Sequence, residues 1–310
     1  MLMKVVTDDD LVAAMKKTGS ASGAAREVGI SERTARRRIG KLRAQGTRAI
    51  PLARVNGCVP PRILIYDIET SPNLAYVWRF FKENISPKQV LQYTDVLCWA
   101  AKWVGNETVV VESRENDEDD ERICRALWEI FDKADIVVAH NGNAFDQKTM
   151  RARWVSYGMD PPSPYKEVDT LRIAKHRFNF PRNKLESIAN YLDIGGKMEH
   201  EGFGLWTKCL EGDKDAWARM MEYNVQDVVL LEQLYMKLRA WDTRHPNVSL
   251  YYADDETRCV VCGGRSLKDI PQDSHTSVSI FSACRCNDCG KVMRYGQRHK
   301  LGKNVLRHSL

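Results

Sequence analysis

At 310 residues, with 43% apolar and 28% charged side chains, the chain is long enough for one substantial core plus one or two small modules. No apolar run approaches the ~18 residues that span a bilayer, and the start, Met1-Leu-Met-Lys-Val-Val-Thr, lacks the pattern of a secretory signal, so a reducing cytoplasm and no membrane association are expected. The net charge of +6 gives only a modest bulk attraction to nucleic acid, so the placement of the charge matters more than its sum.

That placement is uneven. Between Ser31 and Arg43 six basic side chains face the single Glu32, and the last twenty residues carry Lys291, Arg294, Arg298, Lys300, Lys303 and Arg307 with no acid. Both ends of the chain are suited to meet phosphates.

Residues 8 to 45 read as three short helices, roughly Asp8 to Lys17, Ala21 to Val28 and Ser31 to Arg43. Gly29 supplies a permissive turn and Ser31 caps the third helix. Leu11, Ala14, Ala24, Ala25, Val28, Ile30, Ala35, Ile39 and Leu42 form a small shared core. The run GISERTARRRIGKLRAQG resembles helix-turn-helix proteins, which places Arg33, Arg36, Arg37 and Lys41 on a recognition helix as nucleic-acid contacts. The plainer alternative is a small helical bundle with a solvated basic face.

Periodicity vanishes from Gln45 to Pro61, marking a linker. Strand-like segments follow at Arg62 to Ile68, Leu74 to Phe80, Val96 to Trp103 and Thr108 to Glu112. After an acidic loop, Glu115 to Glu121, which reads as a solvated segment, come a helix from about Asp119 to Lys133, a strand Ile136 to His140 and a helix from near Ala144. Helices are also predicted at Thr170 to His176, Leu185 to Leu192 and Asp213 to Trp241. An antiparallel start feeding strand-helix alternation predicts an α/β fold: a mixed sheet flanked by helices, of ribonuclease-H-like layout.

Four carboxylates and one tyrosine stand out in this region. Asp67 and Glu69, in LIYDIET, lie two apart on a strand and so share a face. Asp146, in VVAHNGNAFDQ, opens a helix just after a strand. Tyr223 and Asp227, in EYNVQDVVLL, are one helical turn apart on one face. Phosphodiester hydrolysis needs an activated water and stabilisation of both attacking and leaving oxygens. Two divalent ions about 4 Å apart supply both, and carboxylates are ligands suited to Mg²⁺ or Mn²⁺. An ordinary tyrosine has a pKa of ~10, so Tyr223 is expected to orient water rather than to deprotonate it.

Asp67-Ile-Glu69-Thr, Asn141-x-x-x-Phe145-Asp146 and Tyr223-x-x-x-Asp227 resemble, in that order, the three exonuclease motifs of the DEDD superfamily, tyrosine variant. The resemblance covers about residues 62 to 241. It is strongest to the proofreading domains of family B DNA polymerases and extends to freestanding exonucleases often encoded by bacteriophages, in which case the compartment is the host cytoplasm. It implies two catalytic ions held by Asp67, Glu69, Asp146 and Asp227, a water positioned by Tyr223, and substrate contacts from Phe145 and from Asn141, whose other reading is a brace of the loop. His140 and Asn143 read as loop braces, and Asp169 as a helix N-cap outside the site. His200 and Trp206, in a glycine-rich loop, are equally suited to line a groove or to pack.

Cys259-x-x-Cys262 and Cys286-x-x-Cys289 have the spacing of a four-thiolate zinc ribbon, one structural Zn²⁺ replacing a core too small to fold alone. Cys284 leaves the fourth ligand ambiguous. Cys58, Cys98, Cys124 and Cys209 read as ordinary buried thiols.

The expected organisation is a helix-turn-helix domain over 1–46, a linker over 47–61, a 3′→5′ exonuclease domain over 62–243, and a zinc ribbon with a basic tail over 244–310. DNA is the expected substrate, because a helix enters the major groove of B-DNA but not that of A-form RNA. A replication or recombination protein is the expected class of protein partner. Two other readings fit the same residues: an exoribonuclease, and a DNA-binding regulator built on an inactive exonuclease scaffold.

Overall fold

The computed structural model describes residues 7–18, 21–35, 37–38, 60–115, 119–195 and 202–299. The chain divides into two compact units: Met1–Pro60 with Leu250–Glu256, and Pro61–Ser249 with Thr257–Leu310.

In the first unit, α1 (Asp8–Thr18) packs on α2 (Ala21–Val28). Leu11, Ala14, Met15, Ala24, Ala25 and Ala35 are buried together, with Val28 and Ile30 at the margin. Small alanines let short helices approach closely, and Met15, which the pattern did not single out, fills the remaining gap. Gly29 turns the chain at φ 72°. Ser31 Oγ then accepts the Thr34 N–H at 3.2 Å, at the start of a third helical segment seen at 32–35 and 37–38. Arg33 and Arg37 are exposed; Arg36, Ile39, Lys41, Leu42 and Cys58 lie outside the described residues.

The second unit is built on a five-stranded mixed sheet in the order β5-β4-β1-β6-β7. Its strands are β1 (Ile63–Thr70), β4 (Val96–Trp103), β5 (Val109–Ser113), β6 (Ile136–Ala139) and β7 (Lys166–Asp169). β1 runs antiparallel to β4 and parallel to β6. Strand alternation gives β1 two faces. Leu64, Tyr66 and Ile68 join Trp99 and Ala101 beneath α3 (Glu121–Phe131) and α4 (Asp146–Ser156). Phe131 is the hub of that layer, its ring 4.8 Å from Tyr66, 5.2 Å from Trp154 and 5.4 Å from Tyr165, all edge-on. Burying it fully contributes roughly 2–3 kcal/mol.

The opposite face receives α8 (Lys214–Leu238), which lies across β1, β4 and β5. Asp213 caps it by accepting the Ala216 N–H at 3.0 Å. Lys102 of β4 meets Glu232 of α8 at 2.5 Å in a largely buried ion pair that ties helix to sheet. The shorter α5 (Thr170–Arg177), α6 (Leu185–Tyr191) and α7 (Phe203–Leu210) are the remaining α-helices among the described residues of this unit.

Thr257–Leu310 contributes a second sheet, ordered β10-β9-β8, from β8 (Leu267–His275), β9 (Ile280–Cys286) and β10 (Val292–Arg298). Its core is small: Cys259, Val261 and Cys286, with Leu267 and Met293 beside them. Val260 O accepts the Val248 N–H at 2.7 Å, and Lys291 Nζ donates to Asp242 O at 2.7 Å, joining this sheet to the nearby chain.

The elements depart from the sequence expectations at four points. The strand expected over Leu74 to Phe80 is only β2 (Leu74–Ala75), paired with β3 (Val90–Gln92). Beyond it the Glu83 carboxylate accepts the Trp78 and Arg79 N–H groups, taking the place of a partner strand. The glycine-rich segment before Trp206 is helical from Phe203, because Leu205 and Cys209 bury against Trp217 and Met220 and outweigh the propensity cost of Gly204. β7, charged and only four residues long, carries no pattern that would reveal it. The helix expected to reach Trp241 is α-helical to Leu238 and tightens into a 3₁₀ turn over Arg239–Trp241.

Candidate active site

Asp67 and Glu69 occupy the α8-facing side of β1, opposite in direction to Tyr66 and Ile68. Tyr223, Asn224 and Asp227 project from α8 where it crosses that strand, so the crossing closes a gap of more than 150 residues in sequence. Ligand oxygens of Asp67, Glu69 and Asp227 lie within 4.8 Å of one another. Asp146, buried at the start of α4, stands outside that triad yet acts on it: Asp67 is held well above the carboxylate range by burial, then by Asp146, Glu69 and Asp227. Asp146 is itself pushed up to about 7, chiefly by burial, while backbone N–H groups of Asp146 and Ile68 pull the other way.

Tyr223 is also buried. Burial, Asp227 and Glu69 push its pKa further above the tyrosine range, and its hydroxyl is hydrogen-bonded to Asp227. The phenol is therefore neutral at physiological pH. Trp206 packs edge-on against it, ring centroids 6.4 Å apart, so Trp206 supports the tyrosine through packing.

Asn224 was not singled out by its sequence context. Fully buried, it donates from Nδ2 to Asp67 Oδ2 at 2.8 Å, lowering the pKa that burial raises. The one available signal was its place beside Tyr223 on the helix that carries Asp227.

The turn from β6 to α4 delivers Asp146. Asn141 takes a left-handed φ of 71°, which asparagine tolerates better than most residues, and its N–H donates to Asp169 Oδ1 at 3.0 Å. Gly142 follows where a Cβ would stand 2.5 Å from Ala139 Cβ. Phe145, directly before Asp146, is 43% exposed. His140 spans the turn, with Nδ1 2.9 Å from Thr170 Oγ1 and Nε2 2.9 Å from Asn183 O; burial lowers its pKa, and both ring nitrogens are engaged. Asp169 caps α5 by accepting the Leu171 N–H at 2.9 Å. His200 lies outside the described residues.

The donor sets fit cations. Hard carboxylate oxygens crowded so that Asp67 and Asp146 resist ionisation are relieved by divalent ions. In the second sheet, sulfurs of Cys259, Cys262, Cys286 and Cys289 form a cluster within 4.8 Å. Cys259 to Cys289 measures 3.5 Å and Cys262 to Cys286 3.6 Å, far from the ~2.05 Å of a disulfide and close to the ~3.8 Å expected around tetrahedral zinc. Val261 and Gly264 N–H groups donate to the Cys259 and Cys262 sulfurs, each at 3.4 Å. Cys284 is buried on β9, outside the cluster.

A family model described as the RNase_H superfamily matches residues 82–239, half of the chain. The chain belongs to the RNase H superfamily. The match begins after β1, so it contains Asp146, Tyr223 and Asp227 but not Asp67 or Glu69. Among solved structures, this RNase H-like chain is similar to a family B DNA polymerase from the hyperthermophilic archaeon Pyrobaculum calidifontis, with a TM-score of 0.46 and 19% identity over 59% of this chain and 25% of that one. The matched region is thus a quarter of the polymerase's length. No curated protein matches the chain.

Proposed function

We propose that this RNase H superfamily chain is a metal-dependent 3′→5′ exonuclease that hydrolyses phosphodiester bonds at the 3′ end of DNA. The observation carrying the reading is the convergence of Asp67, Glu69 and Asp227, with Asp146 beside them and Tyr223 bonded to Asp227.

Asp67, Glu69, Asp146 and Asp227 would hold two Mg²⁺ or Mn²⁺ ions, which when bound supply Lewis-acid stabilisation to the attacking and leaving oxygens. Asn224 keeps one Asp67 oxygen oriented. Tyr223, neutral and anchored on Asp227, orients the attacking water rather than removing its proton. His140 holds the turn, since neither ring nitrogen is free to take a proton. Asn141 and Phe145 lie on that turn, where they would meet the terminal nucleotide.

The same reading assigns the flanking segments. Residues 1–46 form a helix-turn-helix that offers Arg33, Arg36, Arg37 and Lys41 to duplex phosphates or bases. Residues 47–61 link it to the exonuclease domain, 62–243. Residues 244–310 form a zinc ribbon whose thiolates Cys259, Cys262, Cys286 and Cys289 bind one structural Zn²⁺. Elemental analysis of the purified protein is expected to give one zinc per chain, lost in Cys259→Ser.

The deciding experiment follows 5′-labelled single-stranded DNA and RNA of matched sequence with Mg²⁺, Mn²⁺ or chelator. The expected result is a metal-dependent ladder shortening from the 3′ end of DNA, reduced at least about 10²-fold in Asp67→Ala, the scale for removing one electrostatic stabiliser. A ladder on RNA alone would make the chain an exoribonuclease. Binding of DNA with no cleavage under any metal would make it a regulator on an inactive scaffold.

A further inference from the structure

The connection from β1 to β4 is an arm rather than a turn. It runs from Ser71 to Asp95 and leaves the sheet just after β1 has placed Asp67 and Glu69, with Thr70 still paired to Val96. Its root is tied three times at 2.9 Å: Ser71 N–H to Asp95 O, Asp95 N–H to Ser71 Oγ, and Thr94 N–H to Asn73 Oδ1. Its outer part is held as well. Glu83 accepts the Trp78 N–H at 2.9 Å and the Arg79 N–H at 2.7 Å, and Gln89 Nε2 donates to Tyr76 O at 3.0 Å.

This braced arm carries its aromatic side chains outward. Trp78 is 91% exposed, Phe80 94% and Phe81 84%. Such a density of exposed rings on an ordered segment marks a binding surface. Its charge indicates the partner. Arg79, Lys82 and Lys88 interleave with the rings, and Glu83, the single acid between residues 74 and 93, is occupied by the arm's own N–H groups. A protein-docking patch is expected to have few charges at its centre. Rings alternating with cations match stacked bases joined by phosphates.

We propose that the arm is a stacking platform for single-stranded nucleic acid, with bases on Trp78, Phe80 and Phe81 and phosphates on Arg79, Lys82 and Lys88. The claim rests on the nuclease reading only for where the strand ends, not for the binding itself. Trp78 stands eight positions and Phe81 eleven positions beyond Thr70, so the rings lie at most about 40 Å along the chain from the carboxylate strand. The platform therefore engages nucleotides upstream of the scissile bond and serves long substrates, not trinucleotides.

The test compares the full-length wild type with the triple variant W78A/F80A/F81A and with W78F/F80Y/F81Y, which keeps a ring at each position. Anisotropy of labelled 20-nucleotide oligo(dT) and oligo(U), in chelator so that cleavage is silent, is expected to show at least about tenfold weaker binding for the alanine variant and recovery to within about twofold for the aromatic one. With metal, the alanine variant is expected to raise KM for the long oligonucleotide while leaving its kcat and the trinucleotide rate unchanged. Equal affinity of wild type and alanine variant for both oligonucleotides would overturn the proposal. The same holds if the alanine variant loses only self-association in sedimentation, which would make the arm a protein-docking surface. If wild type cleaves nothing yet oligonucleotide binding depends on the rings, the arm stands and the exonuclease reading falls. If wild type cleaves and the alanine variant binds and cleaves identically, the arm falls and the exonuclease reading stands.

Discussion

Asn224 is bonded on both sides: its Nδ2 donates to Asp67 Oδ2 at 2.8 Å, and the Cys98 thiol lies 3.9 Å from its Oδ1. The first contact orients a carboxylate whose pKa burial and three like charges raise, and it alone pulls in the lowering direction. Groups that orient a metal ligand typically cost about 10- to 100-fold in metal affinity when removed. Asn224→Ala is therefore expected to raise the Mg²⁺ concentration for half-maximal cleavage by that factor, read from a metal titration. A fall in the saturated rate with an unchanged half-point would sink the idea. On a helix drawn from sequence, residue 224 lies 100° from Tyr223, and nothing there says that β1 passes on that side. The motif residues themselves were legible because Asp67 with Glu69, and Tyr223 with Asp227, are local pairs whose shared face follows from one strand or one helix.

Elements convert those pairs into a site through their joints. The β6 to α4 turn is tight: at Gly142 an added Cβ would meet Ala139 Cβ at 2.5 Å and Tyr66 Oη at 3.4 Å. Overpacking of this kind costs about 1–3 kcal/mol, and here the displaced segment leads directly into Asp146. Gly142→Ala is expected to lower the denaturation midpoint and also to raise the metal requirement. A loss of stability with an unaltered metal titration would mean that the turn does not control Asp146. The glycine was visible in sequence, its close neighbour was not, since Ala139 approaches only through the geometry of the turn. A similar limit explains the failed strand after Ala75. Its aromatic residues have high strand propensity, but propensity reports how well a side chain fits a half-buried pleated surface, and this segment has only three residues of β3 beside it.

For the whole molecule, the carboxylate cluster sets how stability responds to pH when no cation is bound. Burial pushes Asp146 from its ordinary 3.8 up to about 7, so between those values the folded state keeps a proton that the unfolded chain has released. Stability therefore declines as pH rises through that window, by on the order of 4 kcal/mol if the shift is fully expressed. Chelator-treated wild type is expected to lose melting temperature from pH 5.5 to 7.5, and Asp146→Asn to lose much of that slope. Coincident slopes would show that Asp146 is not the strained group. Added Mg²⁺ is expected to flatten the wild-type slope, because it favours the ionised carboxylates. Periodicity, capping residues and short spacings lay within the sequence itself: the mixed α/β class, the caps at Ser31 and Asp169, the paired carboxylates and the two Cys-x-x-Cys knuckles. Each of these is settled by neighbours within a few residues. Only the tertiary structure decided that α8 crosses the odd-numbered face of β1, that Asn224 reaches Asp67, that both nitrogens of His140 are engaged, and that the β1 to β4 connection holds its rings in solvent. Those outcomes depend on strand pairing and helix crossing between segments far apart in the chain, which no local pattern encodes.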